Sequence, residues 1–296
     1  MGVLFLFLSV LAAMCKIIAM KKCGAAASGP KNSLKINVIR SSGCVLLSLL
    51  VCAFGGFAGM NETGVICSVL SGIATALFLF SWVLATQKAS LLMVQIVCMI
   101  FGVISPMVLV PILSETEFAS LLQWCGALLL FPAAICFTKK SETKKSTSLS
   151  ALPILLLMGV SNGACVTSRK LYMDLGDGTA ADFNLTSYAI AAAILAILLL
   201  ATSLYDRRVN VDAPKQKQSK LFYLLVGVAV VTLYIADYFS TLASGKLAVQ
   251  LLVPLSYIFN MPMTLAADVI IFKEKFTLRA AVGIIFVIAA AVLTSI

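Results

Sequence analysis

The sequence contains no histidine and few charged residues. Of its 296 residues, 11% are Asp, Glu, Lys or Arg, whereas globular domains carry about 25%. Without histidine the chain cannot build a Ser-His-Asp triad, a zinc site with histidine ligands or an imidazole proton relay. The scarcity of charge, together with 61% hydrophobic residues, indicates that lipid is the solvent of this protein.

Several motifs are also missing. None of the nine cysteines forms a Cys-x-x-Cys pair, so we interpret them as small apolar side chains inside helices rather than as metal ligands. No Gly-x-x-x-x-Gly-Lys-Ser/Thr stretch occurs, which excludes a P-loop ATPase in this chain. The first apolar run has no basic leader and no small-residue cleavage pattern after it, so we expect no cleavable signal. We expect no cofactor and no bound metal.

What the sequence does contain is a series of long apolar runs. A helix needs roughly 20 apolar residues to cross the hydrocarbon layer. Ten such runs are present, at 2–20, 36–55, 64–84, 89–112, 118–137, 150–169, 183–204, 220–243, 247–271 and 277–296. No short alternating segments typical of barrel strands are visible. The sequence therefore predicts an all-α integral membrane protein with ten transmembrane helices.

Basic residues are distributed unequally between the loops. We number each loop by the apolar run that precedes it. The odd-numbered loops, with the first residues of the helices after them, hold 18 basic residues. The even-numbered loops hold three, namely Arg169, Lys170 and Lys246. Because basic residues favour the cytoplasmic side, we expect odd loops in the cytoplasm and both termini outside. The formal charge of +10 does not point to nucleic acid, since the charges sit in short loops between spans.

Two landmarks occur twice along the chain. The stretch "LATQKAS" at 84–90 returns as "LASGKLA" at 242–248, and Glu117 with Gly126 returns as Glu274 with Gly283. The offsets, 158 and 157 residues, are nearly equal, which indicates an internal duplication. Five spans is an odd number, so the second copy enters the membrane from the opposite side. We predict two inverted five-helix repeats, 1–138 and 150–296, a plan common in transporters.

With these features the chain resembles the EamA-like, ten-helix branch of the drug/metabolite transporter superfamily. The resemblance rests on the Leu-Ala-x-x-Lys leads, the closing segment "FKEKFTLRAAVGIIFVIAAAVL" at 272–293, Arg40 near the start of the second span and the five-plus-five layout. It implies a multi-pass protein of the cytoplasmic membrane that moves amino acids, nucleosides, sugar phosphates or drug-like amines. Arg40 is not duplicated, since its counterpart lies near Ser187. Members of that family keep both termini in the cytoplasm. For this chain we instead predict both termini outside, on the basis of the distribution of basic residues.

Prolines occur inside two equivalent spans. Pro106 and Pro111 fall in the fourth run, and Pro254 and Pro262 fall in the ninth. Interior proline removes a backbone hydrogen bond and kinks a helix, which membranes tolerate where protein or a polar cavity satisfies the freed carbonyl. We interpret the two kinked helices as a gating pair. Ordinary kinks without a transport role are the alternative.

The strongest candidate for a functional residue is Asp237. Tyr234, Asp237, Tyr238 and Thr241 recur at helical spacing, which gathers a carboxylate, two phenols and a hydroxyl on one face. An ionisable residue at membrane depth is a functional candidate by default. We predict that this face lines a central cavity shared by spans three, four, six, eight and nine. There Asp237 would attract the amine of a zwitterionic or cationic substrate, or bind a coupling proton. The alternative is structural pairing with Lys246 or Arg169.

Further polar residues inside the spans complete the candidate binding site: Gln95, Asn162, Tyr257, Asn260, Thr75 and Trp82. Trp82 also fits an interfacial anchor, and Gly159 and Gly163 beside Asn162 favour close helix packing. We interpret Lys16 as a residue near the cytoplasmic side that snorkels or pairs with Asp268. We place the acidic residues Asp174, Asp177 and Asp182 in a solvated outer loop.

Two functional classes are compatible with these features. The first is a secondary transporter for a small polar or amphipathic metabolite, driven by an ion gradient, by exchange or by the substrate's own gradient. The second is an integral-membrane enzyme or a lipid-handling protein. An enzyme should cluster several ionisable groups at one depth, whereas the intramembrane Asp and Lys residues fall at opposite ends. We therefore expect a transporter that is not an enzyme, with partners limited to substrate, membrane lipid and a coupling proton or ion.

Overall fold

The described part of the chain is almost entirely helical. The computed structural model describes residues 1–23, 30–88, 91–137, 151–208, 220–271 and 277–296, and these ranges contain ten α-helices and no strand. The helices are α1 (Gly2–Cys23), α2 (Pro30–Gly55), α3 (Glu62–Lys88), α4 (Leu91–Ser114), α5 (Leu121–Phe137), α6 (Leu152–Leu175), α7 (Ala180–Arg208), α8 (Lys220–Ser244), α9 (Val249–Ile270) and α10 (Leu278–Ser295). The prediction of an all-α fold is confirmed.

Eight of these helices are long and apolar enough to cross a membrane. The two others, α5 and α10, contain shorter apolar stretches, Leu121–Ala133 and Leu278–Thr294. Large apolar side chains cover the outside of the bundle: Leu46, Ile197 and Leu224 are each more than 60% exposed. Water would not tolerate so large an apolar surface on a monomer, so the protein is a multi-pass membrane protein.

Several helices extend beyond the apolar runs that predict them. α2 begins at Pro30, where proline suits the first turn because its missing N–H needs no partner there. α6 continues to Leu175 and ends at Gly176, whose N–H donates to the carbonyl of Tyr172. Arg169 and Lys170 therefore lie inside α6, and our assignment of them to an even loop is wrong. Hydropathy ends a span at the first charges, but these charges find protein partners.

The helices pack mainly in pairs drawn from the two halves of the chain. α1 packs on α8, α3 on α6, α2 on α7 and α5 on α10, while α4 packs along α6 and α9 along α1. Phe5 of α1 stacks on Phe239 of α8 at 5.9 Å between ring centroids. A Cβ built at Gly126 of α5 would lie 3.0 Å from the carbonyl oxygen of Ala290 in α10. The bundle core thus forms between the halves rather than within each half.

Small residues bring α4 and α6 together. Gly159 lies against Phe101 and Val97, and Gly163 lies against Ser105. The prediction that this glycine face serves close packing is confirmed. The four candidate gating residues, Pro106, Pro111, Pro254 and Pro262, all lie inside α4 or α9, which remain helical through them. α4 and α9 are in contact with each other, and their gating role stays a prediction.

The connection between α6 and α7 is a hydrogen-bonded polar junction. The carboxylate of Asp182 accepts from the backbone N–H of Thr179 at 3.0 Å and from its hydroxyl at 2.7 Å. The Thr179 hydroxyl in turn accepts from the N–H of Asp182 at 3.2 Å, which forms a capping box at the start of α7. The Tyr172 hydroxyl donates to the carbonyl of Thr179 at 2.9 Å. Asp182 is only 4% exposed, so our placement of it in a solvated loop is wrong. Asp177, by contrast, is exposed.

Candidate functional site

Asp237 of α8 lies at the centre of a polar network that joins three helices. Its Oδ1 accepts from the Nη2 of Arg169 in α6 at 3.1 Å, and its Oδ2 accepts from the hydroxyl of Tyr188 in α7. Nη1 of Arg169 also donates to the hydroxyl of Ser240, one turn further along α8, at 2.9 Å. Both carboxylate oxygens of Asp237 are therefore engaged by protein donors.

This geometry decides between the two partners considered for Asp237. The ion pair forms with Arg169, whereas Lys246 is exposed in the connection after α8. The pair is only partly buried, with 20% of the Arg169 side chain and 25% of the Asp237 side chain accessible. The structural pairing is confirmed. A direct role of Asp237 in binding substrate or a proton stays a prediction.

Aromatic and small polar side chains extend the network along α8. Tyr234 and Tyr238 stack with 5.9 Å between their ring centroids, as the helical spacing predicts. Tyr234 is buried against Cys44 of α2 and Tyr188. The hydroxyls of Tyr234 and Ser48 are buried near each other, and neither has a hydrogen-bond partner among the described residues. α2 and α7 thus pack against the tyrosines of this network.

Two further cations approach the same network. The charge of Lys16 in α1 interacts with those of Arg40, Asp237 and Arg169, and the charge of Arg40 in α2 interacts with that of Asp237 and with Tyr188. Arg40 donates to the side-chain oxygen of Asn37 at 3.2 Å. We call Lys16, Arg40, Arg169 and Asp237 the charged cluster. All four belong to helices long and apolar enough to span a membrane. Because Lys16 and Asp237 come together in this cluster, our expectation that the intramembrane Asp and Lys residues fall at opposite ends is wrong.

A second group of candidate residues meets where α4, α6 and α9 touch. A Cβ built at Gly102 of α4 would lie 2.5 Å from the hydroxyl of Tyr257 and 2.7 Å from the amide nitrogen of Asn162. That amide donates to the carbonyl of Cys98 at 2.8 Å. The absence of a side chain at Gly102 therefore makes room for two polar groups from other helices.

α6 links this second group to the charged cluster. Asn162, Cys165 and Arg169 recur at i, i+3 and i+7, which places them on one face of the helix. The thiol of Cys165 lies 3.4 Å from the hydroxyl of Thr75 in α3. Polar groups thus follow one another along α6, from the Tyr257 contact to the Asp237 ion pair.

The remaining candidates lie apart from this line. Trp82 packs with Phe78 at 5.6 Å between centroids, in an apolar cluster with Leu155 and Met158. Asn260 accepts from the hydroxyl of Thr264 at 3.1 Å, within its own helix α9. The side chains of Gln95 and Asp268 lie outside the described part of the chain.

Tyr188 is the functional candidate that sequence reasoning missed. It adjoins Ser187, the position that the internal duplication aligns with Arg40, and that alignment was the signal that could have found it. In the sequence, Arg40 stands out only as part of a family resemblance and Lys16 only as a residue near the membrane surface. Both lie far from Asp237 in the sequence, so their interaction with it in the fold was not expected. Within the described ranges, no group of three Cys, Asp or Glu side chains is arranged to hold a metal ion.

Comparison with known proteins identifies the fold alone. No protein-family model and no curated protein matches the sequence. Several solved structures are similar in fold. Among them, a crystal structure of another protein is similar over 100% of this chain and 98% of that chain, with a TM-score of 0.73 and 16% sequence identity. At this identity the similarity extends to the arrangement of the helices and not to the chemistry of the site.

Proposed function

We propose that this protein is a secondary transporter of the EamA-like branch of the drug/metabolite transporter superfamily. It moves a small polar or amphipathic metabolite across the cytoplasmic membrane by alternating access. The observation that carries the proposal is the charged cluster, which combines partly accessible ionisable side chains from four membrane-spanning helices. Insertion scales give a cost of roughly 2.5–3.5 kcal/mol for one charge at the centre of a membrane helix and less towards its ends, and for this reason ionisable residues inside such helices are functional candidates by default.

The pattern of helix contacts supports an inverted repeat. Exchanging each helix with the one five places along the chain converts the α1–α8 contact into α6–α3, and the α4–α6 contact into α9–α1. It also converts α3–α7 into α8–α2, and each of these pairs packs together. A pseudo-two-fold relation between the halves requires this correspondence, and it favours the transporter plan with a site between the repeats.

One pair of residue contacts supports the same relation in finer detail. Gly43 of α2 lies against Val230 of α8, and Gly72 of α3 lies against Ile190 of α7. Val230 follows Gly72 by 158 residues, the offset of the repeated Leu-Ala-x-x-Lys stretch, and Ile190 follows Gly43 by 147, the separation of Arg40 from Ser187. Each contact is thus the counterpart of the other under the proposed exchange.

Reconstituted protein tests the transport function. Proteoliposomes of known protein orientation are loaded and challenged with a panel of labelled amino acids, amines, nucleosides and sugar phosphates. We expect uptake or exchange of at least one compound, above the level of protein-free vesicles. Chemical conversion of a compound, or movement of labelled lipid between leaflets without any movement of the panel, would instead identify the membrane enzyme or lipid-handling protein.

A further inference from the structure

The charged cluster holds an excess of positive charge. Three cations, Lys16, Arg40 and Arg169, face one carboxylate, and for both Lys16 and Arg40 the only acidic carboxylate that contributes among the described residues is Asp237. In lipid an uncompensated cation is more costly than a paired one, because no water neutralises it. Among the described side chains, the cluster therefore has fewer negative than positive charges.

Asp237 is already committed to other donors. Its Oδ1 is bound by Arg169 and its Oδ2 by Tyr188. A substrate amine would have to displace one of these donors and would also be repelled by Lys16 and Arg40. The arrangement thus disfavours the cationic substrate that the sequence suggests, and it leaves Asp237 as a counter-charge of Arg169.

Donor groups of the cations remain free. The Nε atoms of Arg40 and Arg169 are buried and have no hydrogen-bond partner among the described residues. Lys16 makes no ion pair or hydrogen bond within that part of the chain, although it is half-buried. Unsatisfied charged donors are among the most costly groups to bury, and an oxygen-bearing anion would satisfy them.

We propose that Lys16, Arg40 and Arg169 bind an oxyanion, either a carboxylate or a phosphate group. Arginine suits such a ligand because its planar fork matches carboxylate and phosphate oxygens. If the protein is the transporter proposed above, this group belongs to its substrate, which is then an organic anion. Binding of the anion can be measured without transport. An experiment can therefore reject the anion site or the transport function without rejecting the other.

Equilibrium binding of radiolabelled inorganic phosphate and succinate to the full-length protein in phosphatidylcholine nanodiscs tests the site. We expect binding of at least one anion to weaken roughly tenfold or more in Lys16→Gln and in Arg40→Gln, since each removes a charged hydrogen-bond donor. Lys16→Arg and Arg40→Lys, which keep the charge, should restore most of the affinity. Arg279→Gln removes an exposed charge at the start of α10 and should leave binding unchanged.

Asp237→Asn supplies a signature that a merely structural cluster would not produce. Removing the one opposing charge that the described residues supply should tighten anion binding severalfold, opposite in sign to the lysine and arginine variants. The proposal is overturned if neither anion binds, if Lys16→Gln and Arg40→Gln bind both anions normally, or if Asp237→Asn weakens anion binding. Normal binding without any anion transport in proteoliposomes would instead retain the site and reject the proposed function.

A second arm separates a soluble anion from a lipid headgroup. The phosphate measurement is repeated in nanodiscs that contain phosphatidylglycerol. Unchanged phosphate binding assigns the site to a soluble anion. Competition by phosphatidylglycerol that disappears in Lys16→Gln assigns it to a headgroup phosphate.

Discussion

Two polar regions lie at neighbouring levels of α6 and differ in how their charges are satisfied. At the α6–α7 junction, Lys170 donates to Asp174 at 2.6 Å and to the carbonyl of Ser244 at 2.8 Å, and Asp182 accepts from Thr179. In the charged cluster, which contains the preceding residue of α6, Arg169, cations outnumber carboxylates and two guanidinium nitrogens have no partner in the described chain. Satisfied polar groups stabilise a structure, whereas the unpaired cationic donors of the charged cluster are the basis of the proposed anion site.

Replacing Arg169 should have the largest effect and should affect both stability and transport. Arg169→Gln leaves Asp237 with Tyr188 as its remaining donor. Removing one partner of a buried ion pair costs about 3–5 kcal/mol, and the partial accessibility of this pair places the expected cost near the lower end of that range. We also expect a loss of transport of more than about 100-fold, since the guanidinium is part of the proposed site.

Thermal unfolding and uptake by the same reconstituted samples measure both effects. Arg279→Gln, which removes an exposed arginine, is the matched control and should behave as the wild type. Wild-type transport by Arg169→Gln would show that the cluster is structural and no different from the junction.

Replacing Asp182 should lower stability alone. Asp182→Ala removes the carboxylate that accepts two hydrogen bonds from Thr179, which is half of the capping box of α7, and such a capping contact contributes about 0.3–1.5 kcal/mol. We expect a lower unfolding temperature with unchanged transport per folded molecule. Asp177→Ala, in the exposed part of the same connection, should change neither quantity. A transport defect in Asp182→Ala that exceeds its loss of folded protein would extend the functional site into the junction.

Replacing Gly102 should have the smallest effect and should test the second group of candidates. In Gly102→Ala the new methyl must displace the Tyr257 hydroxyl and the Asn162 amide, with an overpacking cost of about 1–3 kcal/mol that movement of side-chain ends should keep near its lower limit. We expect a severalfold change in substrate KM with little loss of folded protein. Gly227→Ala is the control, because nothing lies within 4 Å of a Cβ there. Identical KM values for both variants would remove Asn162 and Tyr257 from the candidate site.

Sequence patterns were sufficient for the helices because each pattern is local. A run such as 64–84 must be helical in lipid, where every backbone N–H and C=O has to bond within its own segment. The spacing of Tyr234 and Tyr238 predicts their stacking for the same reason. Errors in the predicted helices concern their ends. In α6, for example, Arg169 and Lys170 interrupt the apolar run but lie inside the helix.

Composition and hydropathy alone thus determined a multi-pass helical membrane protein, the positions of its prolines and the polar face of α8. Only the tertiary structure decided that Asp237 binds Arg169 and Tyr188, and that Lys16 and Arg40 approach it from α1 and α2. Those residues lie up to 221 positions apart in the chain, and their proximity depends on the packing of α1 and α2 against α8. The sequence of a single apolar run does not predict which helices pack against it, because lipid and another helix offer it nearly the same apolar surroundings.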